Sequence, residues 1–496
     1  MDIQNIKTLG QLKEAGYKPK TIKDELRQNL IHHLKNKSSL FKGIVGYEET
    51  VMPDLQRAIL SRHNMILLGL RGQAKTRIAR LMAELLDEYI PFVAGSELND
   101  DPLKPISRFA TDLIKEKGDE TPIEWLHRSE RYTEKLATPD VTVADLIGDA
   151  DPIKAANLKL PYSDERVIHF GLVPRSHRGI FVINELPDLQ PRIQVALFNI
   201  LQEGDIQIRG FKLRLPLDIQ FVFTANPEDY TNRGSIVTPL KDRIQSQILT
   251  HYPKSIKLSK EITRQEARLH EEQHTAVRLH DLAEDMIEQI AFEARNSEYV
   301  DAKSGVSARL TISAYENLVS SAERRGLINN EDSTHIRIAD FWGVVPAITG
   351  KIELVYEGEQ EGPAKIAQTL VGKAIRTLFT DYFPSPETSK KSKKENPYEK
   401  ITAWFRQGNV VDILNDSTDK EYMEILDSVP GLKELVQKHH PEAKEDAQYF
   451  LMEFALHGLA EFSALGKARL EHGLQFKDLL SGMFEMPVHD DEDEDF

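Results

Sequence analysis

The sequence predicts an α/β protein in which a mostly parallel sheet lies between helices and is followed by two helical regions. Between residues 41 and 253, short apolar runs bounded by Gly, Pro, Asn or Asp alternate with helical stretches. Continuous apolar strands that alternate with helices are typical of a parallel sheet covered on both faces. After residue 254, apolar residues recur at helical spacing and strand-like runs become rare. The strand-like runs are residues 64–68, 89–93, 179–183 and 219–224.

Composition limits the classes of protein that the chain can belong to. Its 496 residues suggest about three domains, at roughly 150 residues each. It contains no cysteine, which excludes disulfides, thiolate zinc sites, iron–sulfur clusters and a cysteine nucleophile. Its net charge of −16 disfavours general nucleic-acid binding. The chain shows neither a signal-peptide pattern nor an apolar run of membrane-spanning length, so we expect a cytoplasmic protein without membrane contact.

The predicted domains follow changes in pattern along the chain. The lysine-rich stretch at 390–394 predicts a solvated linker, and a phosphate-binding or targeting patch is the alternative. Mutual repulsion among the acids at 490–495 predicts a disordered tail. The predicted boundaries are an N-terminal helical segment at 1–40, the α/β domain at 41–253, a helical domain at 254–383, the linker at 384–396, a C-terminal helical domain at 397–487 and the acidic tail at 488–496.

A glycine-containing loop follows the first apolar strand. Residues 69–76 read Gly-Leu-Arg-Gly-Gln-Ala-Lys-Thr and stand between this strand and a helical run. In such a loop, backbone N–H groups and the start of the helix converge on a phosphate. Lys75 would reach the β- and γ-phosphates, and Thr76 would bind Mg²⁺ through its hydroxyl. The residues predicted to hold the nucleotide here are Gly69, Arg71, Gly72, Gln73, Ala74, Lys75 and Thr76.

Ala74 departs from the usual loop, which has glycine immediately before the lysine. The methyl group of alanine restricts the backbone, and the loop tolerates it on the condition that Ala74 keeps a negative φ. The alternative is a chance loop without function. The strand–loop–helix context argues against that alternative, because this context is the confirming test for the motif.

Two further strands end in polar residues of the kind that nucleotide hydrolysis needs. The run at 179–183 ends in Asn184 and Glu185, where such enzymes have two acids. Glu185 would polarise the attacking water, and Asn184 would orient Mg²⁺ with Thr76. Asn184 lacks the charge of aspartate, so we expect Mg²⁺ to be held more weakly. Asn226, after the next strand, would hydrogen-bond the attacking water or the γ-phosphate. The alternative for Glu185 is an ordinary exposed strand end.

Two arginines are candidates for contact with the γ-phosphate. Arg243 stands where ring-forming ATPases carry an arginine that reaches into a neighbouring subunit, where its charge would stabilise the transition state. The alternative is a surface ion pair between Arg243 and Asp242. Arg309, at the predicted start of a helix, is a similar candidate, and a purely structural role is its alternative.

This ordered set of residues resembles an AAA+ ATPase, and more narrowly the magnesium chelatase subunit I and MoxR branch. Three stretches carry the narrower resemblance: residues 145–170, 171–179 and 204–210. In the family, the first two form a hairpin inserted in the second core helix and its return to the acidic strand. The third resembles the hairpin before the strand that ends at Asn226. The resemblance covers about residues 41–380. Departures are Ala74, Asn184 and the long stretch between residues 102 and 139.

The resemblance implies a ring, commonly a homo-hexamer, with ATP at the subunit interfaces and a helical lid closing on it. Arg243 would come from a neighbouring subunit, as the Arg309 position often does in this branch. Val45 and Gly46 lie where the family forms its adenine pocket. The residues that would act from one subunit are Lys75, Thr76, Asn184, Glu185 and Asn226. Members typically work with a von Willebrand factor A domain protein, using ATP to remodel it or to insert a metal.

The resulting hypothesis is an Mg²⁺-dependent ATP-hydrolysing ring motor or chaperone. Magnesium chelatase activity itself is a weaker expectation than this general role, because no residue identifies a porphyrin substrate. One alternative is a nucleotide-binding switch or scaffold in which Asn184 has impaired hydrolysis. Another is a nucleic-acid motor, which the net charge of −16 disfavours.

Overall fold

The computed structural model describes residues 5–161, 164–208, 214–227, 235–389 and 396–479. The chain divides into two compact units, Met1–Tyr252 and Pro253–Phe496. The lysines at 390–394 and the acidic tail at 488–496 lie outside the described residues. In the described parts of the chain, no helix is both long enough and apolar enough to cross a membrane.

The strands of the first unit form one parallel sheet and several small antiparallel pairs. Those described are β1 (Met65–Leu68), β2 (Tyr89–Val93), β3 (Ile123–His127), β4 (Tyr132–Leu136), β5 (Gly148–Ala150), β6 (Ile168–Phe170), β7 (Gly179–Asn184), β8 (Asp205–Gln207), β9 (Arg214–Pro216), β10 (Ile219–Ala225) and β11 (Ser246–Leu249). The main sheet has the order β11-β1-β10-β7-β4. All of its neighbouring strands are parallel.

The helices of the first unit lie between these strands in the chain. Those described are α1 (Leu9–Glu14), α2 (Ile22–Lys35), α3 (Val51–Leu60), α4 (Lys75–Leu81), α5 (Arg108–Lys117), α6 (Val143–Leu146), α7 (Pro152–Leu158), α8 (Leu172–Arg175), α9 (Pro191–Ala196), α10 (Phe198–Glu203) and α11 (Thr238–Arg243). Short 3₁₀ turns are Met82–Leu85, Gly118–Glu120, Arg128–Arg131, Glu165–Val167 and Leu186–Asp188.

Both faces of the main sheet are covered by apolar side chains. Phe181 of β7 and Phe223 of β10 belong to one apolar cluster, whereas Val182 and Val222 of the same strands belong to another. Successive residues of a strand point to opposite faces, so the two clusters lie on opposite sides of the sheet. The predicted α/β fold with a covered parallel sheet is therefore confirmed.

One predicted strand is in a different place. We expected the run at 89–93 in the parallel sheet, but β2 pairs with β3 in a separate antiparallel sheet. Pro91 in this run has no N–H to give to a ladder, and such residues are excluded from central strands. The remaining places in the main sheet are taken by β4 and β11, whose partly exposed residues produce no continuous apolar run.

Two antiparallel strand pairs occur in the stretches on which the narrower resemblance rests. β5 pairs with β6, in the segment between residues 145 and 170. β8 pairs with β9 just before β10, and the residues that connect them, 209–213, lie outside the described part. The long stretch between residues 102 and 139 contains α5, β3 and β4.

The second unit is mostly helical. Its described helices are α12 (Ile256–Glu266), α13 (Glu271–Ala276), α14 (Asp281–Arg295), α15 (Arg309–Ile328), the 3₁₀ helix Ile338–Val344, α16 (Val345–Thr349), α17 (Tyr356–Glu361), α18 (Pro363–Tyr382), α19 (Pro386–Ser389), α20 (Glu399–Arg406), α21 (Asp419–Asp427), α22 (Leu432–His439) and α23 (Glu445–Glu461). One apolar cluster runs through this unit and includes Leu310 of α15, Phe379 of α18 and Phe454 of α23.

The second unit also contains strands that the sequence did not predict. β12 (Val277–Arg278) pairs with β13 (Thr334–His335). β14 (Val411–Leu414), β15 (Gly466–Leu470) and β16 (Gly473–Lys477) form an antiparallel sheet in the order β14-β16-β15. β14 and β15 alternate between more and less exposed residues, as one-sided antiparallel strands do, so they lack the continuous apolar run used as a strand signal.

A buried ionic network joins separate segments of the second unit. Arg325 of α15 and Arg337 are each 1% exposed. Arg325 donates to both carboxylate oxygens of Asp340 at 3.2 and 3.0 Å and to Asp419 at 3.0 Å. Arg337 donates to Asp419 at 2.5 Å. Because buried charges require partners, this network couples the positions of the segments that supply them.

Candidate nucleotide-binding site

The loop between β1 and α4 has a strained backbone at the residue before the lysine. Gly72 has φ +72° and Ala74 has φ 55° and ψ 16°, both in the left-handed region. The condition of a negative φ at Ala74 is therefore not met. A side chain in this region costs roughly 1–2 kcal/mol, and such strain is characteristic of functional loops.

Lys75 is buried within the loop that precedes it. Its ammonium donates to the carbonyl oxygens of Gly69 at 2.5 Å and Leu70 at 3.0 Å, and the residue is 8% exposed. The loop backbone thus curls around a positive charge at its centre. Lys75 therefore supplies a positive charge at the loop where the sequence predicts a phosphate.

The loop is held in place by residues distant in the chain. Tyr47 donates to the carbonyl oxygens of Gln73 at 3.1 Å and His251 at 2.7 Å. Thr250, directly after β11, donates to the side-chain oxygen of Gln73 at 2.7 Å. A Cβ at Gly69 would overlap the side chains of Thr250 and Gln73, so only glycine fits there without a shift. Burial raises the pKa of Tyr47 to about 12, so this phenol is a neutral donor.

One further contact and one neighbouring turn complete the surroundings of the loop. Tyr252 donates to the carbonyl oxygen of Arg71 at 3.0 Å, whereas the Arg71 side chain is exposed. Val45 and Gly46, predicted to contact the adenine, directly precede Tyr47 and are therefore brought beside the loop. Gly46 has φ +82°, a turn conformation for which glycine is suited.

Asn184 connects the loop helix to the neighbouring strands. It is 7% exposed. Its side-chain oxygen accepts hydrogen bonds from Thr224 of β10 at 3.0 Å and from Thr76 of α4 at 3.4 Å. The structure therefore brings together Thr76 and Asn184, the two residues predicted to bind Mg²⁺.

A carboxylate that sequence reasoning missed stands directly behind Asn184. The side-chain amide of Asn184 donates to Glu134 of β4 at 2.6 Å. Arg80 donates to the two oxygens of Glu134 at 2.8 and 3.0 Å, and Tyr132 donates at 3.0 Å. Burial raises the pKa of Glu134, but the hydrogen bonds from Arg80, Tyr132 and Asn184 outweigh it and leave the pKa below its usual value. Glu134 is thus an anion adjoining the candidate metal site.

Glu185 and Asn226 end the two central strands next to the loop. Glu185 has φ 54° and ψ 52°, and its N–H donates to Thr224 at 3.2 Å. Asn226 is 5% exposed and follows Ala225, whose carbonyl oxygen accepts from the N–H of Gly69 at 3.2 Å. The left-handed backbone of Glu185 is strained for a residue other than glycine. Such strain next to a strand end favours a functional role for Glu185.

Arg243, one of the two candidate arginines, is not joined to these groups by any contact that the structure describes. Arg243 donates to the side-chain oxygen of Gln202 at 3.0 and 2.8 Å and lies over the ring of Phe198, 5.1 Å from its centroid. An ion pair with Asp242, the alternative for Arg243, is absent from its described contacts. Arg309 is an exposed residue of the second unit, at the first position of α15.

The donor groups fit an Mg²⁺–nucleotide. A hydroxyl, an amide oxygen and nearby carboxylates are the oxygen ligands that Mg²⁺ takes. Within the described ranges, no group of three or more histidine, aspartate or glutamate side chains forms a metal site. A divalent ion here would therefore need oxygens from phosphates or water, as is usual for Mg²⁺ at nucleotide sites.

No family model matches the chain. The chain is similar to two curated proteins, both called magnesium-chelatase 38 kDa subunit. The one from Cereibacter sphaeroides is 26% identical over 232 residues, covering 46% of this chain and 63% of that protein. The one from Rhodobacter capsulatus is 25% identical over 228 residues, covering 45% and 59%. The chain thus spans less than two thirds of either relative.

Among solved structures, a putative ATPase from Cytophaga hutchinsonii is 18% identical, with a TM-score of 0.29 and coverage of 73% of this chain and 97% of that one. A cryo-EM-based structure of the BchI–BchD complex of magnesium chelatase is 19% identical, with a TM-score of 0.35 and coverage of 64% and 98%.

The fold and the loop define the class. The first unit belongs to the class of α/β proteins in which a glycine-containing loop follows a strand of a parallel sheet and polar residues follow the neighbouring strands beside it. Within that class, the chain is similar to the magnesium-chelatase 38 kDa subunit, which confirms the resemblance to magnesium chelatase predicted from the sequence.

Proposed function

We propose that the chain binds ATP with Mg²⁺ in its first unit and hydrolyses it, as a ring-forming AAA+ motor of the magnesium chelatase subunit I type. The observation that carries the proposal is the meeting of the loop with the ends of β1, β7 and β10. Thr76 of α4, the side chain of Asn184 and the backbone N–H of Glu185 belong to one short hydrogen-bonded chain that runs through Thr224.

The roles of the residues follow from their chemistry. Lys75 would leave the loop carbonyls for the β- and γ-phosphates, where a full negative charge attracts it more strongly than a carbonyl dipole. Glu185 would accept a proton from the attacking water, and Asn226 would orient that water. Mg²⁺, when bound with the nucleotide, supplies positive charge that offsets the phosphates.

Glu134 is proposed as a positioning residue for Asn184. Its hydrogen bond orients the amide so that the amide oxygen is aimed toward Thr76. Its charge also restores part of the negative potential that aspartate at position 184 would supply, since charges at this separation interact strongly in a partly buried site. This arrangement supports an active site over the hydrolysis-impaired switch.

Assembly and partner are part of the same proposal. The exposed Arg243 would serve the site of a neighbouring subunit in a homo-hexamer, and Arg309 would act in the same way. The partner class is a von Willebrand factor A domain protein, remodelled or loaded with metal by a chaperone-like cycle. Both similar curated proteins are called subunits, a word for components of a larger assembly, and this supports the proposal.

The first experiment measures steady-state ATP turnover against protein concentration. Glu185→Gln should lower turnover at least about a hundredfold, because it removes the general base. Glu203→Gln, at an exposed glutamate of α10, is the matched control and should leave turnover unchanged. Equal rates for the wild type and Glu185→Gln, with ATP still bound, would favour the nucleotide-binding switch instead.

A mixing experiment tests the role of Arg243. Arg243→Ala should be inactive, whereas Lys241→Ala on the same helix should be active. A mixture of Arg243→Ala and Glu185→Gln should regain part of the turnover, because one subunit then supplies Glu185 and its neighbour supplies Arg243. No regain would contradict action between subunits.

A further inference from the structure

The second unit contains a cleft that the proposed ATPase reaction does not use. It lies between the 3₁₀ helix Ile338–Val344, α18, the end of α23 and the β15–β16 hairpin. We call it the basic cleft because five cations line it beside one acid, Glu461. The cations are Lys365, Lys373, Arg376, Lys467 and Arg469. Such a concentration is unusual in a chain whose net charge is −16.

Two of these cations remain available to an anion. Lys467 has Glu461 as its carboxylate partner at 2.6 Å, and Lys365 and Arg376 also have carboxylate partners. Lys373 and Arg469 have none among the described ion pairs. The guanidinium of Arg469 lies over the ring of Trp342, 4.8 Å from its centroid. A guanidinium on an aromatic face keeps its edge N–H groups free for a carboxylate.

The wall of the cleft is apolar and contains an unpartnered buried histidine. Phe341, Val345 and Leu474 line it. His457 is 3% exposed, and neither ring nitrogen has a hydrogen-bond partner within the described structure. Its closest carboxylate, Glu453, is 3.7 Å away. A buried polar group without a partner is costly, so a ligand that brings a polar atom here gains by satisfying it.

We propose that the basic cleft binds the acidic segment of this same chain, residues 480–496. Six consecutive acids, 490–495, match the cations of the cleft. Before them come apolar side chains, including Met483, Phe484 and Met486, that match its apolar wall. The ligand is thus an amphipathic acidic peptide, and the chain carries one next to the site.

The chain leaves the described structure close to the cleft. β16 pairs with β15 so that Phe476 lies opposite Lys467 and Leu474 opposite Arg469. The last described residue is Leu479, only three residues beyond Phe476. The eleven residues from there to Asp490 can span roughly 36 Å when extended, so the acids reach the cleft without strain.

The tether to the described chain favours docking of this segment in the basic cleft. Because the segment is tethered, its effective concentration is high and even a weak contact persists. Charge pairing of this kind weakens as salt is added.

The absence of native cysteine allows the contact to be trapped in the full chain. Val488→Cys is combined with Thr369→Cys, at an exposed cleft position, or with Lys303→Cys, at an exposed position that does not line the cleft. Under a mild oxidant, the 488–369 disulfide should form at least about tenfold faster than the 488–303 disulfide. The rate should not depend on protein concentration.

Charge reversal tests the cause of the trapping. Adding Lys373→Glu and Arg469→Glu should slow the 488–369 disulfide about tenfold, and high salt should do the same. If the reversed variant loses its native circular dichroism, Lys373→Gln with Arg469→Gln gives the same test with a smaller change. Equal trapping at both cysteine pairs, or no effect of charge, would overturn the proposal. Disulfides formed only between two chains would assign the segment to a second copy instead.

Discussion

The buried polar cluster around Lys75 and Asn184 in the first unit and the one around Arg325 in the second unit are built differently. In the first unit, Lys75 donates to backbone carbonyls and Asn184 to a carboxylate, while Ala74 and Glu185 hold left-handed backbones. In the second unit, Arg325 and Asp340 form a direct ion pair on helical backbone.

The difference shows which features indicate a functional site. Burial of charge occurs in both clusters, so it does not distinguish them. Backbone strain occurs in the first cluster, together with parallel strand ends that open toward one loop. Strain has to be offset by the rest of the fold, whereas a paired ionic network holds its own segments together. Loss of a residue should therefore cost stability in the second cluster and function in the first.

The largest expected effect is on the stability of the second cluster. Asp340→Asn leaves Arg325 with less compensation in a buried setting, and Arg325→Met leaves Asp340 with an uncompensated charge. We expect Arg325→Met to lower the free energy of unfolding by about 3–5 kcal/mol. Urea unfolding is followed by the fluorescence of Trp342 and Trp404 in a Trp125→Phe background, which confines the signal to the second unit.

The double variant separates the charge from the packing. Arg325→Met with Asp340→Leu removes both partners, so it should lose less stability than Arg325→Met alone. A loss below about 1 kcal/mol for the single variant would mean that the network is not the element holding these segments, and the contrast between the clusters would fail.

The parts of the fold that the sequence revealed are those with continuous apolar runs. β1, β7 and β10 lie in the centre of the sheet, where every residue is buried. The loop with Lys75 follows β1, and the polar pair Asn184 and Glu185 stands at the end of β7. β4 lies at the edge with partly exposed residues, so it showed no strand signal. Glu134 belongs to β4, and it was therefore missed as a neighbour of Asn184.

The conformation of Ala74 could not be read from the sequence for a different reason. Residue type alone argues for negative φ there. The loop is instead shaped by Tyr47 and Thr250, which bond to Gln73 from 26 and 177 positions away in the chain. Such tertiary contacts override the preference of alanine for a negative φ, and they cannot be predicted from the sequence of the loop. The roles of Arg243 and Arg309 stay predictions, as do the domain boundaries.

A smaller effect on stability is expected when a second carboxylate is introduced into the first cluster, beside Glu134. Asn184→Asp places a carboxylate where an amide now donates to Glu134 at 2.6 Å. Repulsion should lower the free energy of unfolding by about 1–3 kcal/mol in the presence of a chelator. Mg²⁺ with nucleotide should recover the loss, because a cation offsets both carboxylates. Thermal unfolding with and without Mg²⁺ measures both states.

Variants at positions 134 and 184 test whether Glu134 supplies the negative charge that an aspartate at position 184 would carry. Glu134→Gln alone should weaken Mg²⁺-dependent binding of a fluorescent ATP analogue about tenfold, with little change in binding without metal. Glu134→Gln combined with Asn184→Asp keeps one carboxylate and one amide, so it should restore both stability and metal dependence. Unchanged metal dependence in Glu134→Gln would remove Glu134 from the site.

The smallest expected effect comes from relieving strain in the loop. Ala74→Gly removes the Cβ from the left-handed region, which gains roughly 1–2 kcal/mol, but glycine also loosens the unfolded chain by about 0.4–1 kcal/mol. We expect a net gain of about 0.5–1 kcal/mol, measured by urea unfolding through Trp125 with Trp342 and Trp404 replaced by Phe. Ala83→Gly, in the 3₁₀ turn Met82–Leu85, is the matched control and should lose stability instead. If both variants lost stability equally, the left-handed backbone at Ala74 would be unstrained. Glu185 would then be the remaining strained residue that distinguishes the first cluster from the paired ionic network of the second unit.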